Sequence, residues 1–272
     1  MNRGKRANLA QETLQILEKG FYTINGRNID ISAAMAAAKG SLTYYSPDNA
    51  PNVPQAPKGK HATTIEITDE TTLEAAARLT ATHPEQSVMV LNFASAKNPG
   101  GGFLGGSQAQ EESLARSTGL YPCIVGHEIY EVGKACGTCL YTHAMTHCRD
   151  VPVIRNDSGA LIEPFTVSVV SSAAVNRGAL EAKNNTGELA QAQAVMDERA
   201  RIMLNVCAAQ GHDVLVLGAW GAGVFKNSSA DIAKMFADLL LGDFEGSFRH
   251  VTFAIPAGNM KNQTAFKEAF SL

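Results

Sequence analysis

Residues 98–112 read Asn98-Pro-Gly-Gly-Gly-Phe-Leu-Gly-Gly-Ser-Gln-Ala-Gln-Glu-Glu112, a loop with few bulky side chains that ends in two adjacent carboxylates. Ahead of it stands Ser87-Val-Met-Val-Leu-Asn-Phe93, an apolar run of strand length. Behind it, Ser113-Leu-Ala-Arg116 continues as helix. A strand therefore ends in a glycine loop that delivers two acids to a helix start. Glycine lets backbone N–H groups turn toward an anion at close range, so a phosphate-bearing ligand with chemistry beside it is expected. Ser107 and Gln110 stand at capping-box spacing, which predicts a helix opened by Ser107 with Glu111 and Glu112 in its first two turns. Successive helical residues point about 100° apart, so the two acids cannot do the same job on one atom. Burial and mutual repulsion favour protonating one, and the helix N-terminus favours ionising the other. An ordinary acidic first turn would look the same without the glycines.

Outward from this loop, strands and helices alternate. Toward the N-terminus the pattern predicts a helix over 6–19, a hairpin over 21–31 turning at Asn25-Gly26, and an alanine-rich helix over 32–39 capped by Ser32. Four prolines between 40 and 61 predict an irregular loop, followed by a strand at 63–68 and a helix at 71–83. Toward the C-terminus, 123–163 is mixed, with a short strand at 152–155 and a turn at 156–159. Then come strands at 165–171, 214–217 and 250–255, helices at 186–209 and 229–241, and a terminal helix. This rhythm predicts a single α/β domain over 1–272, in which 1–62 pack as accessory elements.

A second glycine loop, Gly218-Ala-Trp-Gly-Ala-Gly-Val-Phe-Lys-Asn227, joins the strand at 214–217 to the next helix. Gly218, Gly221, Ala222 and Gly223 free the backbone to wrap a diphosphate, while Val224 and Phe225 offer apolar surface to a ligand. In an α/β sheet both loops fall at the carboxyl ends of strands, where ligands bind. The match of Gly100-x-Gly102-x-x-Gly105 to a dinucleotide fingerprint is incomplete. Residues 94–99 separate it from the strand, and no acid stands about twenty positions on. No Walker lysine follows either loop.

Apolar content of 45% and charged content of 18% are ordinary for a globular protein, and a net charge of −3 argues against a basic nucleic-acid-binding surface. No apolar run reaches membrane-spanning length and the N-terminus is polar, so cytoplasmic residence is expected. Cys136, Cys139, His143, His147 and Cys148 fall within thirteen residues, a loose match to zinc spacing. The competing reading scatters them over a loop and both faces of a strand.

Gly100-Gly101-Gly102, seven residues, then Gln110-Glu111-Glu112 resembles the signature of the microbial poly(ADP-ribose) glycohydrolases of the macrodomain superfamily. The resemblance extends over Arg6–Leu17, Gly20–Tyr22, Thr71–Ala76, Leu91–Ala94, Ser117–Pro122, Val151–Arg155, Val170–Ala174 and Gly218–Asn227. It implies a three-layer α/β/α sandwich with a mixed central sheet and an N-terminal helical extension. It also implies hydrolysis of an ADP-ribose O-glycosidic bond, most directly in poly(ADP-ribose), without metal or cofactor. In that scheme Glu112 protonates the leaving oxygen and then activates water, Glu111 holds ribose hydroxyls, and Gln110 supports them. Gly100–Gly102 give room and N–H groups, Asn92 and Asn98 shape that wall, and the 218–225 loop wraps the diphosphate with Phe225 near the distal ribose or adenine. The partner would be ADP-ribose, its polymer or an ADP-ribosylated macromolecule, with neither a membrane nor a stable nucleic-acid partner. The alternatives are a macrodomain that reads ADP-ribose without cleaving it, which Glu112 separates from a hydrolase, and a hydrolase of mono-ADP-ribosylated protein or nucleic acid. The chain departs from the pattern in Phe253-Ala-Ile-Pro-Ala-Gly-Asn259, which lacks an acid often found there, and in Gly133–Cys139.

Overall fold

A computed structural model describes all 272 residues. α1 (Arg3–Lys19) is capped by the Asn2 side chain, which accepts the Lys5 N–H, and stops at Gly20 in the left-handed conformation. β1 (Phe21–Ile24) and β2 (Arg27–Asp30) form the expected hairpin, with Asn25 and Gly26 at φ 50° and 75° as a two-residue turn of this type requires. α2 (Ser32–Gly40) follows, but Ser32 does not cap it. Asp30 Oδ1 takes the Ser32 N–H at 2.7 Å, so Ser32 lies inside the helix and its Oγ donates to Gly20 O at 3.2 Å.

The proline-rich stretch contains a strand, β3 (Thr43–Tyr45), which pairs with Met145–His147. Three residues are too few to show alternation, and the partner lies about a hundred positions away. β4 (Thr64–Thr68), α3 (Thr72–Thr82), β5 (Val88–Phe93) and α4 (Gln110–Ser117) lie close to where their periodicity places them. Beyond them, α5 (Leu120–Ile124) and α6 (Ile129–Ala135) are helices too short to leave a periodic signal. β6 (Met145–Arg155) is far longer than the four residues expected. A break in register between Cys148 and Val151, with Asp150 at φ 51°, interrupts its alternation and hides it from a pattern search. β7 (Leu161–Ser172), α7 (Arg177–Ala182), α8 (Thr186–Ala209), β8 (Val214–Leu217), α9 (Ser229–Asp238), β9 (His250–Ala254) and α10 (Met260–Phe270) complete the chain.

The main sheet has the order β3-β6-β7-β5-β8-β9-β4, parallel from β7 to β4 and antiparallel at β6 and β3. Its central strands are buried on both faces, which is why they read as unbroken apolar runs. Met89, Leu91, Leu215, Leu217, Val251 and Phe253 pack against α8, α9 and α10. Val88, Val90, Val214 and Val216 face a second cluster with Leu73, Leu79 and Leu114 of α3 and α4. The result is the three-layer sandwich with a mixed sheet. After β5 the chain moves to the α4 face, and after β8 to the α9 face. The crevice between the carboxyl ends of these neighbours is thus a topological switch point. No helix is long and apolar enough to cross a membrane.

One buried polar pair has a consequence for stability. His147 Nε2 lies 2.7 Å from His212 Nε2, and both residues are essentially inaccessible. One ring must donate and the other accept, and burial keeps both neutral. Burial, reinforced by neighbouring positive charge, pushes His147 down to about 3 and His212 down to about 4. Unfolding restores values near 6.5, so the unfolded chain binds more protons. Their stabilisation is complete above pH 6.5 and is lost as pH falls toward 4, by about 2 kcal/mol per ring at pH 5. Urea unfolding should show the loss between pH 6.5 and pH 5. Neither imidazole C2–H resonance should titrate in the folded protein above pH 5, and a shift in either would remove this explanation.

Candidate active site

A cleft of about 1060 Å³ opens at the carboxyl ends of β5, β8 and β9. The loop after β5 makes one wall. Gly100 and Gly101 have φ of 67° and 59°, a conformation that side chains rarely adopt. A methyl group on Gly101 would stand 3.0 Å from Glu112 Cδ and 3.1 Å from Glu111 Oε2. Glycine is therefore required here by the carboxylates as well as by the turn.

α4 begins at Gln110, so Gln110, Glu111 and Glu112 fill its first turn. The expected capping box is absent. Ala109 occupies the cap position with no side-chain bond, and Ser107 lies three residues outside the helix with its Oγ packed over Gly102. The Gln110 side chain is engaged elsewhere. Its Oε1 accepts the Phe93 N–H at 2.9 Å, and its Nε2 donates to Leu91 O at 2.7 Å and Thr72 Oγ1 at 3.2 Å. Gln110 lines the cleft, yet its amide ties the end of β5 to α4 and α3 and makes no bond to either carboxylate.

The two acids occupy different environments. Glu111 is 4% exposed. Its Oε2 accepts the Ser95 N–H at 2.7 Å, and its Oε1 faces Asn92 Nδ2 at 3.4 Å. Burial pushes its carboxyl up to about 8, opposed by these hydrogen bonds and reinforced by the charge of Glu112. Glu112 is half-buried and faces the cleft. Its Oε1 accepts the Gly102 N–H at 3.0 Å. One acid is thus sunk in the wall and the other is presented from it.

The remaining residues expected at the site divide in two. Asn98, Gly101, Gly102, Gly221, Ala222, Gly223, Val224 and Phe225 line the cleft. Asn92, Gly100 and Gly218 lie behind its surface. Asn92 is fully buried and bonds Ser171 Oγ at 3.0 Å as well as Glu111. Gly100 is buried against Phe103 and Ala115. Gly218 packs so closely on β9 and Phe93 that a Cβ would sit 3.0 Å from Ala254 O and from the Phe93 ring. The β8 loop is anchored by Trp220, fully buried with Nε1 donating to Ser172 O at 3.2 Å. Asn227 Nδ2 holds Val175 O at 2.8 Å and Gly221 O at 3.1 Å. Val224, at 80% exposure, stands free at the rim, while the Phe225 ring lies 6.2 Å from that of Tyr141.

Of two further parts of the cleft, one was reached only through the resemblance, at residues 253–259, and the other not at all. Residues 254–256 and 258–262, after β9, form its far wall and include Met260, 65% exposed, and Lys261. Asp157, from the β6–β7 turn, also lines it, with Thr71 Oγ1 donating to its Oδ2 at 2.5 Å and Ser113 Oγ donating to its Oδ1 at 3.1 Å. Neither carries a motif, and only the β6–β7 hairpin brings Asp157 to this place.

The cysteine-histidine stretch disperses. β6 sends His147 to His212 on one face, and Cys148 packs in the α3/α4 cluster on the other. Cys139 Sγ lies 3.6 Å from Lys183 Nζ, and Cys136 Sγ donates to Gly133 O at 3.2 Å. All five cysteines are free, and no three His, Cys, Asp or Glu side chains gather as metal ligands.

Residues 10–156 match the catalytic domain of microbial-type PARG. The chain belongs to that family. Among solved structures, the poly(ADP-ribose) glycohydrolase of Thermomonospora curvata bound to the inhibitor ADP-HPD is 40% identical, over 98% of this chain and 100% of that one, with a TM-score of 0.90. The Deinococcus radiodurans enzyme in complex with ADP-ribose is 37% identical, over 91% of this chain and 98% of that one, with a TM-score of 0.81. No curated protein matches. As a member of the microbial-type PARG family the chain is a glycosidase, and its α4 carboxylates, two glycine loops and β9 wall form one continuous cleft.

Proposed function

We propose that this protein hydrolyses the ribose–ribose O-glycosidic bond of poly(ADP-ribose) and releases ADP-ribose, with the whole chain acting as one catalytic domain. The observation that carries the mechanism is the division between Glu111, buried and raised, and Glu112, held at the cleft surface by the Gly102 N–H. Adjacent residues on one helix cannot flank a bond from opposite sides, which excludes the geometry of paired opposed carboxylates. A single carboxyl group acting first as acid and then as base meets the requirement.

In this scheme the Glu112 carboxyl donates its proton to the leaving ribose oxygen as the bond to the anomeric carbon breaks. The resulting Glu112 carboxylate takes a proton from a water, whose oxygen bonds to that carbon. The ribosyl cation becomes a hemiacetal, the leaving oxygen becomes a hydroxyl, and the enzyme regains its proton. Glu111 accepts hydrogen bonds from the ribose hydroxyls. These bonds favour its ionised form on binding, so the proton the pair retains near neutrality passes to the position facing the leaving group. Backbone N–H groups of the 218–225 loop face the diphosphate, whereas those of Gly101 and Gly102, expected to share that task, are held by Asn98 O and Glu112. Val224 and Phe225 supply apolar contact to the nucleoside. The reaction as written draws on this chain's own groups alone.

The test is chromatography of products from poly(ADP-ribose) across pH. ADP-ribose should appear, and kcat/KM should fall as pH rises through about 8, where the buried carboxyl loses its proton. Intact polymer alongside calorimetric binding of ADP-ribose would instead leave a reader or a hydrolase of another ADP-ribosyl linkage.

A further inference from the structure

Three guanidinium groups hold the segment that carries the glycine loop into α4. Arg3 Nε donates to Gly105 O at 2.8 Å, and Arg6 Nε donates to Gly106 O at 2.7 Å. Arg116 Nη1 donates to Ser107 O at 2.9 Å, and its Nη2 donates to Gln108 Oε1 at 2.5 Å. Residues 105 to 108 thus each give one acceptor to an arginine. Arg3 and Arg6 are three apart on α1, the spacing that places two side chains on one helical face. Arg116 belongs to α4 itself and is buried at 6% exposure.

α1 is fixed to the same place by independent contacts. Thr13 Oγ1 donates to Arg116 O at 2.7 Å and accepts Arg155 Nε at 2.8 Å. Phe103, in the middle of the loop, is fully buried with Ala10 of α1 and Ala115 of α4. Gly106 has φ 74° and lies against the Arg3 backbone, with no room for a side chain.

A loop with five glycines between 100 and 106 has much conformational freedom to lose. Its internal bonds are turns, two of which reach Gly102 from the far side of the loop: Gly105 N–H to Gly102 O at 3.1 Å and Ser107 N–H to Gly102 O at 3.2 Å. Those turns hang on residues 105–107, whose carbonyls the arginines hold. Gly102 is the residue whose N–H orients Glu112.

We propose that Arg3 and Arg6 are positioning residues for the reaction: with Arg116 they form a clasp from α1 that holds residues 105–108, and through them the Gly102 N–H against Glu112. The significance for catalysis rests on the function proposed above, while the clasp itself can be tested without it. The experiment compares the parent, an R3A/R6A variant and an R3K/R6K variant. The alanine variant should lose about 10- to 100-fold in kcat on poly(ADP-ribose), the scale of a small misplacement of a catalytic group, with KM rising by less than kcat falls. Lysine, which keeps the charge and a single donor nitrogen, should restore part of kcat. Amide hydrogen exchange should accelerate over 100–108 in the alanine variant, while residues of β5 and β8 keep their protection. Unchanged kcat in the alanine variant would overturn the proposal. So would a uniform rise in exchange across the protein, which would make α1 a purely structural element. Should the parent fail to cleave the polymer, exchange over 100–108 still decides the clasp, and unchanged exchange there would reject it.

Discussion

Replacing Glu112 by glutamine should lower kcat on poly(ADP-ribose) by about 10²- to 10⁴-fold, the usual contribution of a positioned acid/base, while ADP-ribose still binds. Glutamine matches the carboxyl in shape, and its amide oxygen can accept the Gly102 N–H that Glu112 Oε1 accepts at 3.0 Å. The loop should therefore keep its place. The amide has no proton to give the leaving oxygen and no base to receive one from water, so the loss falls on the chemical step. Chromatography of products and calorimetry with ADP-ribose separate the two effects. A variant that cleaves at the parental rate would move the acid elsewhere, and Glu111 would be the first candidate. A variant that loses binding and turnover in proportion would show that Glu112 builds the site rather than reacts in it.

Much of this architecture was legible because its signals are local. The apolar run of β5, the glycines that follow and the acids after them lie within 26 residues, so strand, loop and helix start could be read in order. The alternation of strands and helices fixed the layers for the same reason. What failed was whatever depended on partners distant in sequence. β3 exists because Met145–His147 lie beside it, and β6 was hidden by the bulge at Asp150. Local chemistry misled in one instructive way. Ser107 and Gln110 have the spacing of a capping box, but the Gln110 amide bonds three groups of β5 and α3, and the helix starts later as a result. The same bonds turn Gln110, expected to support the carboxylates, toward the end of β5, while Asn92 stands behind the wall it was expected to shape and bonds Ser171 and Glu111.

The site itself was read unevenly. Both acids and most of the two glycine loops reach the cleft, since each glycine tract follows a strand whose end must open there. Asp157 was not found, and the wall after β9 was reached only through the resemblance, at residues 253–259. Asp157 sits in a turn that sequence describes only as a turn, and it meets Thr71 and Ser113 through the fold. The wall after β9 lacks the acid that would have marked it, and its exposed members, Met260 and Lys261, look like any solvent-facing helix start until the cleft is seen beside them.

Glu111→Gln should produce an enzyme that is less active and more stable. Glu111 is buried at 4% exposure, and its carboxyl is raised to about 8 in the fold, against about 4.5 when free. A group raised on folding contributes its full stability below the unfolded value and loses it as pH climbs through the folded value. For Glu111 that window runs from about 4.5 to about 8. Across it the unfolded chain has shed the proton that the folded protein retains, and the parent weakens. Glutamine does not titrate, so the stability gap between variant and parent should open above pH 4.5 and level off above pH 8. Allowing for imperfect packing of the amide, a gain of about 2–3 kcal/mol at pH 8, or roughly 5 °C in Tm, is expected. The gap should close as pH falls through about 4.5, below which the parent is protonated in both states. Activity should move the other way, because an amide cannot ionise to take the ribose hydroxyls as a carboxylate does. A loss in kcat of about 10²-fold is the expected scale for removing one charged contact at the reacting sugar. Thermal melts of both proteins at pH 4.5, 6 and 8 decide the matter. A gap independent of pH would mean that shape rather than charge separates them. A variant less stable at pH 8 would show that the hydrogen bonds from Ser95 and Asn92 outweigh burial, and that Glu111 is ionised in the resting enzyme.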